Sequence, residues 1–576
     1  MPSSDRTAAV EAAPIVTTGW QRPLPALVPQ VAPFWTGGAD GELRLPRCTT
    51  CARFRHPGES VCPDCPGAEL AYAAVGPTGV VVGVSVNHQM WLPGITPPYV
   101  VIVVELDDAP GVRLTSNLLV DDPSEIAQLA RVGLAVTVAF DEQRFDPQRL
   151  DGPGDVWVPV FRPSGEPDRA GLVHEARPAA RPPVSDERFE RRSVLSGVGI
   201  SAVGRRLGRP PVSLAVEASL AAIADAGLTR DDIDGISTYP GGLGGGMSEG
   251  GIAPLEEALG VRPTWFHGGL DQPGQSGAIV AAMLAVASGL CRHVLCVRTV
   301  WEATYTDYQR RGLVGGGGGR LEGDIQWRLP YGAASAGTWI GLAASQYLHR
   351  YKADREVLGR IAVNARAGAA RNPNAVYRDP LTLDDYFAAR MISTPFGLYD
   401  CDVPCDGSVA VIVSAAETAG DAPNGVVRIN AVGTQITERP SWDQGTLTHE
   451  PMVLGPATHL WTRTDLTPAD VDVALLYDGF SFNCLSWIEA LGFCGFGEAS
   501  DFIGDGTTIG LGGSLPLNPH GGQLSAGRLH GFGFLHEAIT QLRGVAGERQ
   551  VADAQVAVVS TGGGAPGGTF LLTRDT

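Results

Sequence analysis

Four cysteines near the N-terminus restrict this chain more than any other feature. Cys48, Cys51, Cys62 and Cys65 stand in CTTCARFRHPGESVCPDC, two C-x2-C pairs separated by ten residues. Two such knuckles present four thiolates to one tetrahedral ion, which suits zinc. A four-sulfur shell is closed, so the metal is structural and leaves no coordination position for a substrate. Incidental or reactive thiols in a loop are the alternative, and the paired spacing makes it much the weaker one. Ten cysteines in 576 residues do not otherwise amount to a disulfide scaffold.

Short β-rich runs follow the knuckles: Gly79–Val86, Tyr99–Leu106, Val112–Leu119 and Leu134–Phe140. Gly, Pro and Asp separate them, a pattern that predicts a small barrel. An Arg/Pro-rich stretch, residues 166–191, reads as a linker. It divides an N-terminal domain of residues 21–165 from a larger unit of residues 192–576. A barrel of this kind would permit nucleic-acid binding, but the chain carries a net charge of −19, which argues against a nucleic-acid partner. The first residues, MPSSDRTAAVEAAPIV, lack the basic-then-apolar pattern of a signal peptide. The most apolar helical stretch, Ala278–Leu290, falls far short of the roughly 20 residues that a membrane span needs. A soluble, cytoplasmic protein with no membrane partner is expected.

The larger unit contains a repeat. LTRDDIDGI (Leu228–Ile236) recurs as LTPADVDVA (Leu466–Ala474). Val216, Leu220 and Ile223 precede the first copy at helical spacing, and a β-run opens each half, Ser193–Ile200 and Gly425–Val432. Two related α/β halves, about residues 192–415 and 425–576, point to a duplicated, layered fold.

Two resemblances emerge from these motifs. The N-terminal part, with Phe34-Trp35 ahead of the zinc ribbon and an OB-like barrel behind it, resembles a module that accompanies thiolase-like enzymes handling acyl-CoA. From about Arg192 onward the chain resembles the thiolase superfamily, in particular the sterol-carrier-protein-X-type thiolases and their steroid side-chain aldolase relatives. The carrying motifs are NARAGAARNPNAVYRDPLTLDDY (Asn364–Tyr386), DCDVPCDGSVAVIV (Asp400–Val413), YDGFSF (Tyr477–Phe482), NPHGGQLSAGRLHG (Asn518–Gly531) and STGGGAPGG (Ser560–Gly568). The resemblance implies an α/β, duplicated five-layered αβαβα fold behind the zinc-ribbon and OB-fold domain. It also implies a homodimer through the thiolase-like unit.

The catalytic positions depart from a working thiolase. That enzyme needs a nucleophilic Cys at a helix N-terminus, a GHP histidine and a second Cys in a C-terminal Gly loop. Here the nucleophile stretch reads DQPGQSGAIVAAM, Gly527-Arg528-Leu529 falls where GHP would, and Ser560 stands at the second Cys position. Covalent acyl-enzyme chemistry has no evident nucleophile. The anion-binding architecture remains: Gly274, Gln275 and Ser276 at the start of a helix and the Gly562-Gly563-Gly564 loop together form a cradle for a thioester enolate. The aldolase relatives carry a Tyr where thiolases have the Asn of NEAF, and Tyr477 stands there. Their second Tyr is Arg528 here. The resemblance thus makes Tyr477 the proton-transfer group and Arg528 the electrophile. If Tyr477 is not itself the base, His530 and His520 are candidates, with Asp478 behind them. The only lysine, Lys352, lies among charged residues in HRYKADREV, which disfavours a Schiff-base aldolase.

The function expected is aldol-type cleavage or formation of a carbon–carbon bond on a β-hydroxyacyl-CoA, giving a ketone or aldehyde and a shorter acyl-CoA. The alternatives are a thiolase-like acyltransferase and a non-catalytic acyl-CoA-binding scaffold.

Overall fold

The computed structural model describes residues 12–144, 154–173, 180–239, 248–314, 319–438, 441–562 and 566–575. Strands Thr78–Asn87, Tyr99–Leu106, Arg113–Leu118, Ala135–Gln143 and Val156–Pro163 close into a five-stranded barrel. Four match the β-runs of the sequence. The fifth, VWVPVFRP, contains two prolines and gave no clear strand pattern. Ile15-Val16 adds a parallel edge beside Ala135–Gln143, so the sheet reaches back before residue 21.

The strand YVVIVVEL shows why this barrel is not an independent body. Val100, Ile102, Val104 and Leu106 point into the barrel core. Tyr99, Val101 and Val103 point out, yet they are buried against Ala333, Leu342 and Leu447 of the larger unit. A run that is apolar on both faces requires a partner on each. The outer partner is the helix Ala336–Tyr351, which lies on the strand Thr78–Asn87. There the Val84 amide donates to Ser345 Oγ at 3.0 Å.

Aromatic packing closes the seam. Phe34 and Trp35 are almost fully buried, and Trp35 stacks on Trp327 with ring centroids 5.4 Å apart. Arg22, also buried, donates from Nε to Asp141 at 2.7 Å and from Nη1 to the Pro330 carbonyl at 2.5 Å. Strand Met391–Ser393 extends the barrel sheet through pairing of Ser393 with Asn87.

In the ribbon, strands Arg44–Cys48 and Leu70–Ala74 pair antiparallel and carry the knuckles. The four cysteine sulfurs lie within 4.8 Å of one another, and Cys51 Sγ is 3.8 Å from Cys62 Sγ. Zinc–sulfur bonds of about 2.3 Å in a tetrahedron require sulfur edges of about 3.8 Å. The residues therefore fit zinc, the structural metal of this ribbon. Arg55 Nη2 donates to Cys62 Sγ at 3.1 Å and to Asp64 at 2.6 Å, placing positive charge beside the thiolates.

The larger unit is the duplicated αβαβα fold, and its topology displays the duplication. In the first half, Ser193–Ile200 pairs antiparallel with Asp406–Ala415, which pairs antiparallel with His293–Trp301, which pairs parallel with Gly235–Thr238. In the second, Val427–Gly433, Gly568–Arg574, Val556–Thr561 and Val473–Leu475 follow the same order and directions. The repeated LT-x-x-D motif is a helical turn in both copies. Thr229 Oγ1 donates to Asp232 at 2.7 Å, and Thr467 Oγ1 to Asp470 at 2.8 Å. Both turns feed the parallel strand of their half.

Because the thiolates replace a hydrophobic core in so small a ribbon, metal binding there contributes folding free energy directly. Purified protein is expected to contain about one zinc per chain by elemental analysis. Stripping it with a chelator should lower the thermal midpoint, and Cys62→Ser should abolish stoichiometric zinc.

Candidate active site

The duplication places two equivalent helices ahead of two equivalent strands: Gly277–Ala287 before His293–Trp301, and Phe532–Leu542 before Val556–Thr561. Neither N-terminus has a side-chain cap. They begin beside each other. A Cβ on Gly531 would meet Thr561 Cγ2 at 2.7 Å and Gln275 Oε1 at 3.8 Å. Ser276 Oγ and Thr561 Oγ1 are hydrogen-bonded at 2.6 Å, and the Gly274 amide donates to the Pro566 carbonyl at 2.6 Å. Gly274 and Ser276 therefore contact Thr561 and Pro566. Gly274 has φ +65° and its absent Cβ would strike Thr561, so glycine is required there. Gly562, also at positive φ, is in this loop, whereas Gly563 and Gly564 lie outside the described residues. The helix begins at Gly277, leaving Gln275 and Ser276 in the turn before it.

Tyr477 follows the strand Val473–Leu475 and is buried. Its amide donates to Ser560 Oγ at 2.9 Å. Its ring lies over Gly479, where a Cβ would come 3.1 Å from the hydroxyl. Burial pushes its hydroxyl well above the ordinary range, Asp402 and two further carboxylates push the same way, and the neighbouring Gln523 side chain opposes them. The phenol is therefore neutral at rest.

Asp478 faces the other way. Its carboxylate accepts from the Gln523 amide at 2.7 Å and from Asn518 Nδ2 at 3.2 Å. A Cβ on Gly522 would overlap it. Burial raises its carboxyl to about 7. Asp478 thus anchors the loop of residues 518–531 against Tyr477.

That loop delivers Arg528 and His530. The Arg528 guanidinium pairs with Glu302 and, at 3.2 Å, with Asp402. Burial and the nearby Arg298 lower it to about 10, still cationic at neutral pH. His530 Nδ1 lies 2.6 Å from Arg298 Nη2 and its Nε2 is 3.7 Å from Glu302. Burial and the two arginines keep the imidazole neutral. Its Nδ1 must accept from the guanidinium, so Nε2 carries the proton. Gln523 connects these parts, its Oε1 accepting from the His530 amide at 3.1 Å.

Arg298, Glu302, Asp402 and Gln523 were not singled out from the sequence. Asp402 stands in the quoted motif DCDVPCDG and Gln523 in NPHGGQLSAG, but nothing local distinguishes them from their neighbours. Arg298 and Glu302 lie in a strand and the helix after it with no motif of their own. His520 is not brought into the cluster. Its ring packs edge-on against Phe534 at 5.4 Å, and Phe534 in turn packs against the Tyr477 ring at 6.3 Å. Burial lowers it to about 3.

No thiol is poised for nucleophilic attack. Burial raises all six cysteines outside the ribbon, Cys291 to about 11, Cys494 to about 12, and Cys296, Cys401, Cys405 and Cys484 well above the usual thiol range. Cys296 lies behind the helix, its sulfur 3.9 Å from the Ala278 carbonyl.

A thiolase-like fold with a buried tyrosine, cationic and carboxylate partners, and no nucleophile at the helix terminus is the site of a carbon–carbon lyase. The comparisons agree. Residues 455–570 match the thiolase C-terminal domain-like family, residues 72–141 the ChsH2 C-terminal OB-fold domain, and residues 35–71 the ChsH2 rubredoxin-like zinc ribbon domain. The chain is 34% identical to the steroid side-chain-cleaving aldolase of Thermomonospora curvata over 66% of this chain and 98% of that protein. It is 32% identical to the 17-hydroxy-3-oxo-4-pregnene-20-carboxyl-CoA lyase of Mycobacterium tuberculosis, over 66% of this chain and 99% of that one. A solved Ltp2-ChsH2(DUF35) aldolase superposes with a TM-score of 0.60 at 32% identity, covering 67% of this chain and 99% of its own. The chain belongs to this family of aldolases of thiolase-like fold, and it is a carbon–carbon lyase.

Iodoacetamide is accordingly expected to leave its lyase activity intact, and acetoacetyl-CoA should not be thiolysed. Alkylation of one cysteine that abolishes turnover and is blocked by substrate would contradict this.

Proposed function

We propose that the enzyme cleaves, or in reverse forms, the Cα–Cβ bond of a β-hydroxyacyl-CoA, with Tyr477 as the proton-transfer group. The carrying observation is the neutral Tyr477 phenol buried beside paired helix N-termini in a site without a poised thiol. In the cleavage direction the β-hydroxyl proton passes to the Tyr477 oxygen as the phenol gives its own proton to a neighbouring carboxylate and the Cα–Cβ bond breaks. The bonding pair enters the thioester enolate and the β-carbon becomes a ketone or aldehyde. Protonation at Cα releases the shorter acyl-CoA.

The helix N-termini and the Gln275-Ser276 turn stabilise the enolate oxygen through oriented N–H groups. The N–H at His530 Nε2 suits a donor to the same oxygen, which makes His530 an electrophile rather than the base. Arg528 adds positive charge whose field Glu302 and Asp402 partly balance. The acyltransferase alternative is disfavoured, because Ser560 is fully buried and its hydroxyl already holds the Tyr477 amide.

Two organisational readings accompany this one. The break after Pro163 and the new strand at Ser193 support the boundaries at 165 and 192 around a linker 166–191, while the edge strand Ile15-Val16 carries the first domain back before residue 21. The edge strand Trp265–Gly268 supports a homodimer through the thiolase-like unit: its outer side has no strand partner among the described residues, and Phe266 is 66% exposed. No helix among the described residues is long and apolar enough to cross a membrane. A cytoplasmic location rests on the sequence alone.

Tyr477→Phe removes one hydroxyl and little volume. Turnover on a panel of β-hydroxyacyl-CoAs should fall by about 10²–10⁴-fold while acyl-CoA affinity stays near wild type. Wild-type turnover by the variant, with an unchanged pH profile, would reject the mechanism. Light scattering at micromolar concentration should give twice the 60.3 kDa chain mass, and Phe266→Asp should shift it toward the monomer.

A further inference from the structure

A tyrosine whose phenolate is disfavoured can move a proton but cannot store one. The surroundings of Tyr477 contain one carboxylate suited to storage. The backbone amide of Asp402 donates to the Gly479 carbonyl at 3.0 Å, and Gly479 is the residue over which the Tyr477 hydroxyl lies. Cys401 forms a bridge with Phe480, which fixes this approach from the other side. The Asp402 carboxylate is turned to Arg528, with Nη1 at 3.2 and 3.3 Å from its two oxygens. Its side chain is only 10% exposed.

The other acids nearby are engaged differently. Asp478 is occupied by the Gln523 amide and Asn518. Glu450 accepts from Asn483 Nδ2 at 2.5 Å. Glu302 meets Arg528 and faces His530.

We propose that Asp402 is the proton reservoir of the lyase, exchanging a proton with the Tyr477 hydroxyl while Arg528 holds its carboxylate in position. This rests on the reading of Tyr477 given above. In cleavage the β-hydroxyl proton moves to Tyr477 as the Tyr477 proton moves to Asp402. The electron pair of the broken Cα–Cβ bond resides in the enolate. The proton then returns through Tyr477 to Cα, so proton and electrons balance and no co-reactant is consumed. Because Asp402 acts through Tyr477, it is a positioning and relay residue.

Opposed influences suit it to both states. Burial, reinforced by Asp478, pushes the Asp402 carboxyl well up. The guanidinium at 3.2 Å pulls it down. The groups facing it are Tyr477 and Asp478 from the YDGF segment and Arg528 from the loop of residues 518–531, with Glu302 behind Arg528. The ionised form is the acceptor, so the rate rises with pH through its titration.

The test uses the full-length zinc-loaded enzyme and acetyl-CoA in deuterated buffer, with exchange of the α-hydrogens followed by mass spectrometry. Wild type should exchange, at a rate that rises with pH through one ionisation. Asp402→Asn should lower exchange by about 10²–10⁴-fold, as Tyr477→Phe does, and lose the pH dependence. Binding of acetyl-CoA by calorimetry should change little. Asp402→Glu should recover part of the rate and move the midpoint. Absence of wild-type exchange overturns the proposal. So does wild-type exchange by Asp402→Asn: with Tyr477→Phe impaired, only the role of Asp402 falls, and with Tyr477→Phe also unimpaired, the role of Tyr477 falls too. If Asp402→Asn does not fold, an unmoved midpoint in Asp402→Glu overturns it equally.

Discussion

One buried carboxylate makes the active site possible. Asp478 has no access to water and takes its solvation from a backbone amide and an asparagine of the loop it faces. A buried acid held this way stays satisfied only while the loop stays in place. The strand that carries Tyr477 and the loop that carries Gln523, Arg528 and His530 are thereby fixed to each other. Gly522 follows from the same contact, since the carboxylate fills the space of a side chain there.

One helix carries the barrel to this site, and the strand Met391–Ser393 with Phe396 stacked on Phe480 makes a second path. Ala336–Tyr351 lies on the outer face of the barrel strands, while at its N-terminal end Gly337 abuts Phe480, three residues after Tyr477. Strand YVVIVVEL is apolar on both faces because it serves as the floor for that helix as well as the barrel wall. His56 of the zinc ribbon packs edge-on against Trp327, on whose ring Trp35 stacks. Ribbon, barrel and seam are thus in contact in succession, from the cysteine cluster to the helix beside Phe480.

The electrostatics of the site replace a covalent nucleophile with balanced charge. A buried arginine, Arg298, and a half-buried one, Arg528, meet Glu302, Asp402 and a neutral imidazole. Unpaired, either arginine would carry a large desolvation cost. Paired, they hold the imidazole in one tautomer and keep a carboxyl near Tyr477 adjustable. A thiolase concentrates its chemistry at one thiolate, whereas here proton transfer and anion stabilisation are spread over side chains from five segments.

Much of this was legible before any coordinates. The zinc ligands are encoded by spacing within a knuckle, which is a local property. The barrel strands were legible from apolar runs between turn residues, except VWVPVFRP, whose prolines hide a strand that pairs along an open side. The duplication was legible because a capping turn leaves the same Thr and Asp in both halves. The missing cysteine was legible because it is a fact about one position. The partners of Tyr477 were not. Asp402, Gln523 and the Arg298–Glu302 segment lie far apart in the chain, and the same residue types elsewhere in this sequence form buried pairs away from the site, as Arg22 does with Asp141. Which of them surround a buried hydroxyl, and which, like His520, stand behind a phenylalanine, depends on how two halves and a loop close around one cavity. Local spacing carries no record of such long-range meetings, so only the tertiary structure decides them.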